Sequence, residues 1–233
     1  MEVGTLVGLW RYPVKSMGAE ALEQEEIGFY GVAGDRRWAF IQPGLERSGF
    51  PWMTLRERAD MRQFIPRFVD PQRPEDSVTM VVSPAGEEYD VVDPALSQLL
   101  GEGVRVLKRE VGLFDAMPLS LISVGTLRAL GEMTGRELEP QRFRPNLLID
   151  LGDDDPGFTE DSWAGRIVRI GELEMRVDLR DPRCVIVTMD VQSGERDPNV
   201  LRQIAQRREG CAGVYGSAVT PARVAVGATV SLD

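Results

Sequence analysis

Apolar residues along this chain recur mostly in short runs bounded by Gly and Pro. The runs include TLVGLWRYPV, RRWAFIQP, SVTMVVSP, EEYDVVDP, VRVLKRE, PNLLIDLG, CVIVTMDV and ARVAVGATVSL. They are rich in β-branched and aromatic residues and too short for helices, so each predicts a strand and together they predict a sheet-rich body. In RIVRIGELEMRVDL the apolar positions alternate on both sides of Gly171-Glu172, which predicts a hairpin. ARVAVGATVSL repeats that design around Gly227-Ala228.

Helical spacing is confined to a few segments. In SVGTLRALGEM, Leu127, Leu130 and Met133 share a face behind Ser123 as N-cap. In PNVLRQIAQRREG, Asp197 and Pro198 give an N-cap and first-turn signal, Leu201, Ile204 and Ala205 form the stripe, and Gly210 ends it. Both stripes read as core. A shorter helix is expected at PALSQLLGE. No repeat or low-complexity linker divides the chain, and the best boundary lies near EVGLFDAMP, giving two packed subdomains over residues 1–112 and 113–233.

Composition narrows the chemistry. With 233 residues the chain can bury a core without staples, and its two cysteines, Cys184 and Cys211, make no disulfide framework, so a reducing cytoplasm is the expected setting. The first residues lack a basic flank followed by a long apolar core, and no apolar run is long enough to span a bilayer. The formal charge of -10 disfavours nucleic acid and anionic lipid as partners. Zero histidines exclude Ser-His-Asp and Cys-His catalysis and every His-containing metal site. Cysteine, carboxylates, Lys/Arg or a cofactor remain.

Basic residues nevertheless gather at loop-like places beside strand ends: Lys15, Arg36 and Arg37, Arg56, Arg142 and Arg144, and Arg183. Taken singly they read as solvated surface charges. Brought together they would suit a phosphate, with turn N–H groups adding an anion nest. Asn146 stands at the entrance of a strand, either as an amide facing a heterocycle or as a turn-closing residue. In DPRCVIVTMDVQSG, Cys184 is either a small apolar side chain starting a buried strand or a thiolate at that strand's mouth. Glu160 and Asp161 in FTEDSW read as an exposed acidic loop without a catalytic role.

Six segments in this order, YPVKS, DRRWAFI, DAMPLSLIS, RFRPNLLID, EDSW and RCVIVTMDVQSG, resemble the patterns of MOSC proteins, the molybdenum cofactor sulfurase C-terminal domain family with its N-terminal β-barrel-like region. The likeness covers nearly the whole chain and is greatest to the mitochondrial amidoxime-reducing component and its bacterial relatives.

The resemblance implies a mainly β (α+β) fold with a closed barrel, and a molybdenum cofactor whose metal is ligated by Cys184. A soft thiolate suits such a metal. It also implies that Lys15, Ser16, Arg36, Arg56, Asp115, Arg144 and Asn146 contact pterin or phosphate, so that segments far apart in sequence share one pocket. Ala116, Met117 and Pro182 depart from the family pattern, which has hydroxyl side chains in the first stretch and a small polar residue before RC. Cys211 lies outside every matched motif. The implied activity is oxygen-atom removal from N-hydroxylated or N-oxide compounds. The chain carries no cysteine set for an iron–sulfur cluster and no dinucleotide-binding glycine motif, so a separate reductase or ferredoxin-like donor is expected to supply electrons. The competing readings are a non-enzymatic carrier of the cofactor or of a persulfide on Cys184, and a metal-free thiol redox protein.

Overall fold

Alternation in the apolar runs produces the central feature of a computed structural model that describes residues 1–233. Seven strands pair in a ring, in the order Leu147–Asp150, Leu119–Ser123, Cys211–Thr220, Leu173–Pro182, Ile167–Ile170, Thr229–Leu232 and Glu2–Arg11, and the last pairs back onto the first. Closure removes both sheet edges. Every second residue points inward, so Leu119 and Leu121, Leu147 and Ile149, Val168 and Ile170, and Leu173, Met175 and Val177 fill one buried cluster. The protein is mainly β with three helices, α1 (Pro94–Leu100), α2 (Val124–Thr134) and α3 (Pro198–Arg208).

The helices form where their end signals stand. Ser123 accepts from Thr126 N–H at the start of α2, and Asp197 from Asn199 N–H at the start of α3. A second core cluster holds Leu127 and Leu130 of α2, Val200 and Ile204 of α3, and Ile122 and Leu148 from the barrel strands. Ala205, expected in the α3 stripe, is instead exposed, and Leu201 is half-buried. Val200 takes the core position. No helix is long and apolar enough to cross a membrane.

The chain folds as two compact units that interleave along the sequence: residues 1–10, 21–33 and 115–233 form the first, and residues 11–20 and 34–114 the second. This differs from a single division at 112/113. The opening strand belongs with the C-terminal part because barrel closure needs it, with Leu9 opposite Leu147 and Gly4 opposite Val230. In the second unit Trp38–Ile41 pairs with Arg105–Lys108, and Ile65–Phe68, Thr79–Val82 and Glu88–Asp90 form a three-stranded sheet.

The Gly171-Glu172 hairpin forms, with Ile170 opposite Leu173 and Gly171 at φ 58, the left-handed backbone such a turn needs. Gly227-Ala228 does not make the second hairpin. Ala222–Ala225 pairs with Gln24–Gly28, whereas Thr229–Leu232 enters the barrel. The connecting turn is fastened to the opening strand instead, since Gly227 N–H donates to Leu6 O and Leu6 N–H to Ala228 O.

CVIVTMDV is likewise not a strand. The preceding strand ends at Pro182, and Val185–Thr188 is a 3-10 turn with Cys184 as its N-cap. Thr188 Oγ1 donates back to Val185 O at 2.6 Å, and Val187 packs into the cluster under α2 and α3. Tertiary burial of Val187 overrides the β-propensity of the run.

Candidate functional site

Cys184 does not start the buried strand its sequence suggested. It is half-buried at the head of the 3-10 turn, not sealed within a strand. What fixes it is the residue before it. Arg183 Nε donates to Ala212 O and Nη1 to Phe143 O, both at 2.7 Å, while its guanidinium lies 2.8 Å from Asp181 Oδ2 and 5.4 Å from the centre of the Phe143 ring. Gly213, at φ 74, packs between this guanidinium and the barrel, since a Cβ there would stand 2.7 Å from Leu121 O and 3.2 Å from Arg183 Nη2. Arg183 thus ties the Cys184 strand end to the turn that carries Arg144, joining residues some forty positions apart.

That turn has its own tension. Pro140–Arg142 is a 3-10 turn, and Arg144, which follows it, sits at φ 54. A residue before proline is pushed towards extended backbone, so a left-handed Arg144 ahead of Pro145 is held there by its surroundings. The buried Arg142 pairs with Asp190 at 2.9 Å and Glu139 at 3.2 Å. Hydrogen bonds from the Ser193 and Gln192 N–H groups, with Arg142 nearby, bring the Asp190 pKa down to about 2.

Asn146 is buried, and the barrel engages both ends of its amide: Oδ1 accepts from Ser120 N–H at 3.3 Å and Nδ2 donates to Trp10 O at 3.2 Å. Asp115 is exposed ahead of the Leu119–Ser123 strand.

The second unit gathers its own candidates. Lys15, buried, donates to Leu113 O at 2.9 Å, and Leu113 N–H donates to Arg36 O at 2.9 Å. Lys15 Nζ and the Arg56 guanidinium lie 5.7 and 6.0 Å from the centre of one exposed ring, Phe50. Arg36 stacks 4.7 Å from the Tyr12 ring and pairs with Asp35, whose other oxygen accepts from Tyr12 N–H. Positions 15, 36 and 56 therefore meet around Leu113 and Phe50. Ser16, buried beside Lys15, has φ 69, and Arg36 has φ 50.

Sequence reasoning missed Asp35 and Asp181, each almost wholly buried next to an arginine. The signal was the acid beside the base in GDRRW and in RDPRC.

FTEDSW is not an exposed loop throughout. Glu160 is fully buried and accepts from Ser123 N–H at 3.1 Å, in front of α2. Burial raises its pKa above the usual carboxylate value, against hydrogen bonds that lower it. With an unfolded value of about 4.3, the stability this group contributes is complete below that pH and is lost as pH rises through the folded value. Urea midpoints measured from pH 4 upward should fall more steeply for the wild type than for Glu160→Gln; parallel curves would refute a buried proton there.

Comparison with known proteins then gives the lineage. The MOSC domain profile matches residues 108–231. The chain belongs to the MOSC family. The profile of the MOSC N-terminal beta barrel domain matches residues 3–100. Among MOSC relatives, a molybdenum cofactor sulfurase from Drosophila mojavensis is 27% identical over 88% of this chain and 30% of its own length. Mitochondrial amidoxime reducing component 2 from Rattus norvegicus is 34% identical over 36% of this chain and 24% of its own length. The matches thus span under a third of either relative. The crystal structure of the YUAD protein from Bacillus subtilis shares the fold, with a TM-score of 0.54 at 12% identity, covering 97% of this chain and 93% of that one.

Proposed function

We propose that this MOSC protein binds a molybdenum-containing pterin cofactor through Cys184 and reduces N-hydroxylated or N-oxide compounds, drawing electrons from a separate donor protein in the cytoplasm. The observation that carries the reading is conformational. Only five non-glycine residues have left-handed backbone, and three of them are Ser16, Arg36 and Arg144, which the motif resemblance assigns to the cofactor. Such residues cost on the order of 1–3 kcal/mol each, persist where the surroundings enforce them and cluster at ligand sites. A left-handed residue also turns successive N–H groups towards one side, where an anion can sit.

The donor set fits the group. No cluster of three or more Cys, Asp or Glu side chains is arranged to cage a metal ion, so Cys184 offers a single soft ligand. That suits a metal arriving with its remaining donors on an organic cofactor. Lys15, Ser16, Arg36, Arg56, Asp115, Arg144 and Asn146 are the assigned pterin and phosphate contacts, the cations as charge-assisted donors.

When bound, the cofactor supplies the two-electron step that takes oxygen from nitrogen, with two protons consumed and water released. The chain's own part is to hold and orient. Cys184 Sγ would hold the metal as a thiolate. Arg183 fixes the backbone on which that sulfur is carried.

Expression in a host that makes molybdenum cofactor, followed by metal and pterin analysis and an amidoxime reduction assay with an artificial electron donor, tests the reading. Protein lacking both metal and pterin would overturn it. Arg144→Ala should weaken cofactor binding by about 1.5–3 kcal/mol, the range for hydrogen bonds to charged groups. Arg144→Gly, which relieves the backbone, should be weakened similarly if charge is the cause; an unchanged dissociation constant in either folded variant removes Arg144 from the site.

The breadth of the sulfurase match favours a second reading, in which Cys184 carries the cofactor or a persulfide for delivery. Metal-loaded protein without turnover, or a persulfide on Cys184 in mass spectrometry, would select it.

A further inference from the structure

The α3 stripe that reads as core in the sequence leaves Leu201 half-buried and Ala205 exposed, while Val200 and Ile204 take the interior. Leu201 and Ala205 are one helical turn apart and share a face. They line a cavity of about 370 Å3, within the size range of small-molecule sites. The facing wall is Val185 and Thr188 of the 3-10 turn. The Thr188 hydroxyl is already spent on Val185 O, which leaves that wall apolar. Cys184 is the residue before Val185, and its carbonyl accepts from Val187 N–H, so the wall springs from the cysteine itself.

The charge at this cavity runs against that of the protein. Its lining includes Arg202 and no carboxylate, in a chain with 37 acidic and 27 basic residues. Arg202 donates to the neutral Asn199 Oδ1 at 2.7 Å, a bond that leaves its charge uncancelled. An apolar cleft with the Arg202 guanidinium in its lining suits an aryl or alkyl body ending in an anion.

We infer that the cavity between the Val185–Thr188 turn and α3 is a substrate subsite for an apolar, carboxylate-bearing compound whose reducible group is presented to the Cys184 centre. The inference rests on the reductase reading of Cys184 for its catalytic meaning, but not for binding.

Methyl NMR of the full chain titrated with 3-phenylpropionate, and with its uncharged amide, separates the two. Shifts should centre on Val185, Leu201 and Ala205, with the carboxylate bound about tenfold more tightly than the amide. Arg202→Gln should abolish that preference and Ala205→Trp should abolish binding of both. In cofactor-loaded protein, Ala205→Trp should raise the KM of a carboxyaryl amidoxime relative to that of acetamidoxime by about tenfold or more. Absence of shifts at these methyls, equal affinity for acid and amide, or an unchanged KM ratio would overturn the subsite. Binding as expected in a protein that reduces neither amidoxime would keep the site and overturn the reductase reading instead.

Discussion

If Cys184 ligates the proposed molybdenum cofactor, Cys184→Ser should yield a folded protein whose reduction of an N-hydroxylated substrate falls more than about 100-fold, since changes even in residues that only hydrogen-bond a metal's ligands cost about 10–100-fold. Its stability changes little, because the side chain is half-buried at the head of a turn and fills no sealed core position. On that proposal, pterin would stay attached through the cations the resemblance assigns to it while the metal would lose its protein ligand. Cys211→Ser is the control: that thiol is half-buried, burial raises its pKa, and its Sγ lies 3.8 Å from Glu209 O. It should keep turnover near the wild-type value. Bound molybdenum, melting temperature and turnover with an artificial electron donor decide the matter. A cofactor-loaded Cys184→Ser protein with wild-type turnover would end the ligand assignment.

Arg183→Ala should be strongly destabilising. It deletes two donors to main-chain carbonyls and the guanidinium facing a carboxylate that is 1% exposed. Breaking a buried pair of this kind costs about 3–5 kcal/mol. At roughly 2–4 °C per kcal/mol for a chain of this size, the Tm should fall by about 6 °C or more. Arg183→Lys keeps the charge but cannot reach two carbonyls and a carboxylate with one ammonium, so it should recover only part of the loss. On the proposed cofactor reading, affinity for the cofactor should fall with stability in both, because the same bonds set the Arg144 turn against the Cys184 strand end. A Tm within about 2 °C of wild type for Arg183→Ala would show that the clamp is dispensable.

Local chemistry accounts for what could be read directly. Alternating apolar residues must place one face inward, so the barrel strands were legible wherever the alternation was regular, as in Leu173, Met175 and Val177. Ser123, Asp93 and Asp197 named the helix starts because an N-cap satisfies its donors within a few residues. Both failed strand readings lie where partners distant in sequence decide. CVIVTMDV has a strand's composition, yet Val187 is drawn under α2 and α3 and the run closes into a turn. ARVAVGATVSL has a hairpin's pattern, yet its turn is fastened to Leu6 and its halves join different sheets.

For the site, the sequence by itself determined the inventory: no histidine, two cysteines, and cations beside strand ends in an order that resembles one family. Only the tertiary structure decided which of these side chains do which work. It turned Arg183 into a clamp, enclosed Asn146 among the backbone groups of Trp10 and Ser120, buried Glu160, and held Ser16, Arg36 and Arg144 in left-handed backbone. The reason is physical: residue type and spacing fix what a side chain can donate, accept or bury, whereas its partner depends on loop closures across many tens of residues that no local pattern encodes.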